Sequence, residues 1–229
     1  MNVDQALGRF AACWRILSAA VLICGPLTSH AQQIGDLTRY SDFGQPDILL
    51  TAASIRQSGD HHIGVIDQRT DISSTDRTLN PIGDGNIADL VQDGSYNEAY
   101  LSQTGNLNRI RVEQSGSYNR TEITQDGVAN TVDLKQDGFN NQATLTQIGT
   151  ANTLDLQQTG ANNYLISIQN GDSNSISFSQ VGGNSAVLNQ YGDHNTIIWK
   201  QELGETKVRS IDQGTPGNPV SGSRLVIGN

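Results

Sequence analysis

Along most of the chain, polar and apolar residues alternate one for one in short bursts, each cut off by a polar break before the next begins. In one burst Asn108, Ile110, Val112 and Gln114 fall on one side, with Arg109, Arg111 and Glu113 on the other. In another, Asn130, Val132, Leu134 and Gln136 oppose Thr131, Asp133 and Lys135. Successive side chains of an extended chain point to opposite faces, so a period of two predicts strands with one buried side. No segment carries the spacing of an amphipathic helix. The pattern predicts an all-β chain whose strands are about seven residues, roughly 23 Å, long.

The breaks are as regular as the bursts. Gln92, Gln103, Gln114, Gln125, Gln136, Gln147, Gln158, Gln169 and Gln180 follow at intervals of eleven, Gln190 comes after ten and Gln201 after eleven more. Two places after each, Gln201 excepted, stands a glycine: Gly94, Gly105, Gly116, Gly127, Gly138, Gly149, Gly160, Gly171, Gly182 and Gly192. These are expected at tight turns, where positive φ is common. An Asn closes each turn: Asn97, Asn108, Asn119, Asn130, Asn141, Asn152, Asn163, Asn174, Asn184 and Asn195. Degenerate units precede these. Gln57 and Gln68 are eleven apart with His62 in the Asn position, and Pro81, Gly83 and Asn86 keep the spacing with Pro for Gln. The irregular stretch from Arg69 to Asn80 is expected to loop out.

Repeats that cannot bury an apolar face alone must stack. Compared 22 positions apart, the inward residues form two series. One is mostly small then large: Ala99/Leu101, Thr121/Ile123, Ala143/Leu145, Leu165/Ser167, Ala186/Leu188. The other is bulky: Ala88/Leu90, Ile110/Val112, Val132/Leu134, Leu154/Leu156, Ile176/Phe178, Ile197/Trp199. Two facing sheets of complementary volume explain this, whereas a triangular coil would mix the series. The expected fold is a parallel β-solenoid with two strands per coil of about 22 residues, stacked at about 4.8 Å. The same step sets Glu98 beside Arg120, Arg111 beside Asp133, Glu113 beside Lys135 and Tyr96 beside Tyr118, with Asp133 beside Asp155 as a like-charge exception. Repeated Gln and Asn would form amyloid-like side-chain ladders along the axis.

Composition alone points to disorder: 35% of residues are hydrophobic and 5% aromatic. The strict repeat overrides it. Arg9 and Arg15 before the apolar run Ile16 to Leu27, then Ser29-His30-Ala31, have the layout of a secretory signal peptide, cleaved after Ala31. The expected organisation is a leader over 1–31, an N-terminal segment over 32–50, the solenoid over 51–201 and an irregular tail over 202–229. Both cysteines, Cys13 and Cys24, fall in the leader, so the mature chain would enter an oxidising compartment without disulfides. Losing two of 14 basic residues (Arg9, Arg15) and one of 23 acidic (Asp4) takes the net charge from −9 to −10. That acidity argues against nucleic acid as a partner.

No constellation for catalysis stands out. Asp93, Asp126 and Asp137 follow Gln at turns, where Asp is a common turn former, and they can act as gatekeepers against premature assembly. His61, His62 and His194 also fall in predicted turns, with no Cys or third clustered ligand beside them, so no metal or other cofactor is expected. The period of eleven differs from the nine of calcium-binding solenoids. Thr144 and Thr146 lack the neighbours an ice-binding array needs, and a passenger domain would require a membrane barrel after it.

The pattern Gln-x-Gly-x-x-Asn-x-Ala-x-x-x-Gln, seen from Gln92 to Gln103 and again from Gln136 to Gln147, resembles the curlin repeat, and the resemblance spans about residues 57 to 201. It implies two parallel sheets closed by tight turns. It also implies an exported subunit of curli, the bacterial surface amyloid fibres of adhesion and biofilm, growing end to end with other curlin subunits. An outer-membrane export pore and accessory export factors would be partners, and the segment 32–53 sits where such a pore is addressed. The regular Gln and Asn suit a major subunit. The tail with Lys207, Arg209 and Arg224 is closer to a minor, nucleating one. The rival on the same fold is a capped, monomeric solenoid acting as an adhesin or binding surface, with 32–50 and 202–229 as caps.

One patch breaks the polar exterior. Tyr164, Ile166 and Ile168 face outward beside Val187, while Ser167 points inward between Leu145 and Leu188. Either the strand slips by one residue and buries both isoleucines, or the register holds and the four side chains form a lateral contact surface. The intact spacing of Asn163 and Gln169 favours the second.

Overall fold

The computed structural model describes residues 20–23, 32–34, 52–60, 63–69, 85–202 and 209–227. These residues form strands and turns only. The strands are β1 (Ala20–Ile23), β2 (Gln32–Ile34), β3 (Ala52–Asp60), β4 (Ile63–Arg69), β5 (Ile87–Ser95), β6 (Glu98–Asn106), β7 (Arg109–Ser117), β8 (Arg120–Val128) and β9 (Thr131–Phe139). They continue as β10 (Gln142–Thr150), β11 (Thr153–Ala161), β12 (Tyr164–Asn170), β13 (Ser175–Val181), β14 (Ser185–Tyr191), β15 (Thr196–Gln201), β16 (Arg209–Gln213) and β17 (Arg224–Ile227).

Even-numbered strands from β4 to β16 stack in one sheet and odd-numbered strands from β3 to β17 in the other, each pairing in parallel with the strand two elements on. Each coil thus gives one strand to each sheet, which is a parallel β-solenoid. From β5 to β13 the step is 22 residues, with Gln92 opposite Gln114, Gln114 opposite Gln136 and Gln158 opposite Gln180. β5 to β11 are nine residues long because pairing continues through each glycine to the residue after it, as in Gly94 opposite Gly116.

The core is one continuous cluster between the sheets, running from Ile55 and Ile66 to Trp199 and Ile211. Both expected inward series are inside: Leu90, Ile110, Val112 and Leu134 from the bulky series, Ala99, Thr121, Leu145 and Leu188 from the small-and-large one. Each large aliphatic side chain so buried contributes about 1.5–3 kcal/mol relative to exposure. β12 keeps its register, with Ser167 opposite Leu145 and Leu188, so no slip occurs. Outside, Arg120 reaches Glu98 at 3.8 Å and Arg111 reaches Asp133 at 3.8 Å. Glu113 and Lys135 are ladder partners, but the Glu113 carboxylate is taken by Arg111 of its own strand. Exposed pairs of this kind contribute little and mark the register.

Two boundaries differ from expectation. The tail over 202–229 is not irregular throughout: β16 pairs with β14 and β17 with β15, Ile211 joins the core and Gln213 faces Gln190. The stretch Ser210-Ile211-Asp212-Gln213 alternates like any other unit, but it follows Gln201 at an interval of twelve and its glycine comes one place early, so the motif spacing hides it. At the other end, Ala20–Ile23 of the expected leader runs antiparallel on β4, and Gln32–Ile34 runs antiparallel on β3. Gln57 lies opposite Gln92 and Gln68 opposite Gln103, 35 positions apart rather than 22, so β3 pairs directly with β5 and β4 with β6. His61, His62, Pro81 and Gly83 lie outside the described residues.

Candidate functional site: two amide ladders and a glycine corner

A buried amide must find a partner for each polar atom or destabilise the fold by about 1–3 kcal/mol per unmet group. The glutamines meet this at the strand ends. In one sheet Gln92 Nε2 donates to Gln114 Oε1 at 2.6 Å, Gln114 to Gln136 at 2.8 Å, Gln136 to Gln158 at 2.8 Å, Gln158 to Gln180 at 3.0 Å and Gln180 to Gln201 at 3.2 Å. In the other, Gln103, Gln125, Gln147, Gln169 and Gln190 each donate to the next, ending on Gln213, at 2.7 to 2.9 Å. The second amide hydrogen goes to the backbone of the facing sheet: Gln114 to the Glu98 carbonyl at 3.0 Å, Gln147 to that of Thr131 at 3.0 Å. Each Gln therefore ties one coil to the next and one sheet to the other. The polar core residue Thr121 joins this network, donating to Gln136 Oε1 at 2.8 Å and accepting from Gln114 Nε2 at 3.1 Å.

The asparagines do the same work at the corners. Asn119 donates its backbone N–H to Asn97 Oδ1 at 3.0 Å, and the pattern repeats from Asn130 to Asn108, Asn141 to Asn119 and Asn152 to Asn130. Their Nδ2 groups donate to glycine carbonyls of the following coil, Asn97 to Gly116 at 3.0 Å, Asn108 to Gly127 at 2.9 Å and Asn152 to Gly171 at 2.7 Å. Except for Gln213, at 6%, every ladder Gln and Asn from Asn86 onward is no more than 1% exposed. An acid in these places would lose the donor and bury a charge.

The glycines have the expected positive φ, and most of them lie at the strand end just before the turn. At Gly138 φ is +128°, a conformation closed to residues with a Cβ. A Cβ there would also sit 2.0 Å from the Gly160 carbonyl oxygen. That same oxygen accepts from Asn141 Nδ2 at 3.1 Å, so the missing side chain is what lets Asn reach it. The turn itself is made just before each Asn, by residues in the left-handed helical conformation: Tyr96 (φ 57°), Leu107, Tyr118, Ala129, Asn140, Ala151, Asn162, Ser173 and His194. Sequence reasoning missed these positions because their residue types share no chemistry. Only Asn140, Asn162 and His194 are of types with a natural preference for that region.

Of the candidate contact residues, Tyr164 is 41% exposed, and Ile166, Ile168 and Val187 lie half-buried on the outer face. Tyr96 and Tyr118 stack at 4.9 Å with rings 5° apart, and Phe139 meets Tyr118 edge-on at 5.4 Å. Among the described residues no three His, Cys, Asp or Glu side chains gather where a metal would sit. A hydrogen bond to Lys200 and its charge hold the Glu202 carboxyl below its ordinary range.

The family model of the curlin associated repeat matches residues 83–116, 102–127, 116–149 and 127–160. Residues 83–160 carry curlin associated repeats. The matched units hold the ladder residues from Asn86 to Gln158, so the curlin pattern there is the sequence image of that hydrogen bonding. The curlin repeats and the solenoid support a structural subunit of the curli type. No curated protein and no solved structure matches it.

Proposed function

We propose that the chain is exported, loses its leader after Ala31, and polymerises end to end into extracellular amyloid fibres that serve adhesion and the biofilm matrix. The observation that carries this reading is the unbroken run of Gln ladders to Gln201 and Gln213. A ladder that repeats at every coil is as able to continue into a second copy as into the next coil of the same one. Among the described residues β16 and β17 are each paired on one side only, which leaves a sheet edge open to further strands. Self-association and other curlin subunits are the partners this reading names, with an outer-membrane pore and its accessory factors as the export route. The basic residues Arg209 and Arg224 in the last rungs favour a minor, nucleating subunit over a major one.

The test is assembly of the mature chain from denaturant. The expected result is a lag that seeds abolish, thioflavin fluorescence, and fibre reflections near about 4.8 Å and 10 Å. A chain that stays monomeric at high concentration would instead be the capped solenoid. One observation favours that alternative: β2 runs antiparallel on β3 and covers the first parallel edge of its sheet.

A further inference from the structure

Among the described residues, tyrosines do not in general neighbour one another. In the sheets Tyr100 lies between Val65 and Glu122, Tyr164 between Gln142 and Ser185, and Tyr191 beside Asn170. Tyr96 and Tyr118 are different. Both adopt the left-handed corner conformation, with φ of 57° and 60°, and Tyr118 N–H donates to the Ser95 carbonyl at 3.1 Å, which fixes one corner on the next. The rings are nearly parallel at 4.9 Å, and the residues are 43% and 50% exposed. The third aromatic side chain of the row, Phe139, has no phenol and meets Tyr118 edge-on. The row therefore contains one stacked phenol pair, held at coil spacing and open to solvent.

We infer that Tyr96 and Tyr118 form an oxidative cross-linking site, joined as dityrosine by an extracellular one-electron oxidant of the haem peroxidase class using hydrogen peroxide. Each phenol gives up one electron and its phenolic proton. The two phenoxyl radicals pair through their ortho carbons to form one C–C bond, and the ortho hydrogens then move to the oxygens to restore both aromatic rings. The two electrons and two protons reduce one hydrogen peroxide to two waters. Stacking holds the two radicals in contact, so coupling is intramolecular and does not wait for diffusion. The link closes a loop of 22 residues between adjacent coils, constraining the unfolded chain as a disulfide would in a mature chain expected to have no cysteine.

The experiment treats the dilute, purified chain with a haem peroxidase and hydrogen peroxide, then denatures and digests it with trypsin. Cleavage at Arg77, Arg109, Arg111 and Arg120 separates Tyr96 and Tyr100, in peptide 78–109, from Tyr118 in peptide 112–120. The expected product is these two peptides joined, two hydrogens lighter than their sum, with the blue fluorescence of dityrosine. It should persist in Tyr100→Phe and be lost in Tyr96→Phe and in Tyr118→Phe. A mixture of nitrogen-14 and nitrogen-15 chains should give no mixed pair. Mixed pairs only, a link that survives Tyr96→Phe, or no joined peptide after the peroxide is consumed would overturn the assignment.

Discussion

The coils from Ile87 to Asn174 and those from Ser175 onward share one plan and differ in how strictly they keep it. In the first region the step is 22 residues in both sheets, and each glycine but Gly160, whose neighbour is the shortened corner, lies against the carbonyl of the next. In the second, Gln169 to Gln190 is a step of 21 and Gln190 to Gln213 a step of 23. The Gln ladder stays unbroken through the change, with bonds of 2.9 and 2.7 Å and one of 3.2 Å from Gln180 to Gln201, also a step of 21. The Asn ladder does not. Asn184 N–H reaches Asn163 Oδ1 at only 3.4 Å, and the buried Asn184 Oδ1 has no partner among the described residues. Glutamine sits on a strand, where the sheet sets the spacing whatever the corner does. Asparagine sits in the corner, so a corner of a different length misplaces it. Fidelity of the repeat length thus protects the corners more than the sheets.

Six substitutions test and sharpen that contrast. The largest effect should come from Gly138→Ala, whose Cβ would overlap the Gly160 carbonyl oxygen in the strict region. A loss of about 3 kcal/mol or more is expected in denaturant unfolding followed by circular dichroism. Gly160→Ala should lose clearly less, because its Cβ would come no closer than 3.3 Å to Gly182 in the shortened corner. Equal losses would break the comparison.

Next is Asn141→Ala against Asn184→Ala. Asn141 Oδ1 accepts from the backbone and side chain of Asn163, and Nδ2 donates to Asn119 and to the Gly160 carbonyl. Its removal should destabilise by about 2–3 kcal/mol, against about 1 kcal/mol at Asn184, where half the amide is already idle.

Ser167→Ala should act in the opposite direction. The Ser167 hydroxyl is buried with no hydrogen-bond partner among the described residues. Replacing it should stabilise by about 1 kcal/mol, read as a higher unfolding midpoint. Smallest is Ala151→Gly, which relieves a left-handed φ of 57°. A gain of up to about 1 kcal/mol is expected, reduced by the greater freedom of glycine in the unfolded chain.

What the sequence made legible follows from the same division. The period of two and the eleven-residue spacing fix which side chains face inward, so Leu134, Gln136 and Ser167 were placed without a structure, and 22-residue matching set Arg111 beside Asp133. The expected end of the solenoid at Gln201 missed β16 and β17, because Gln213 keeps the alternation and loses the motif spacing. The left-handed corner residues were invisible for another reason: backbone conformation there is imposed by the strands on either side and leaves no mark on side-chain type. The roles of the leader, the segment 32–50 and the residues around Tyr164 depend on partners and processing, which spacing does not encode.

The central claim is that buried amides, spaced one coil apart, hold coil to coil within the chain and copy to copy in the fibre. It is tested most directly by comparing elongation of seeded fibres for Gln136→Ala/Gln158→Ala with Gln142→Ala/Gln157→Ala. Gln136 and Gln158 are fully buried and bonded at 2.8 Å, whereas Gln142 and Gln157 are exposed on the outer face. The account predicts slow elongation for the first pair and a rate close to the unsubstituted chain for the second. Equal rates for the two double variants would contradict it.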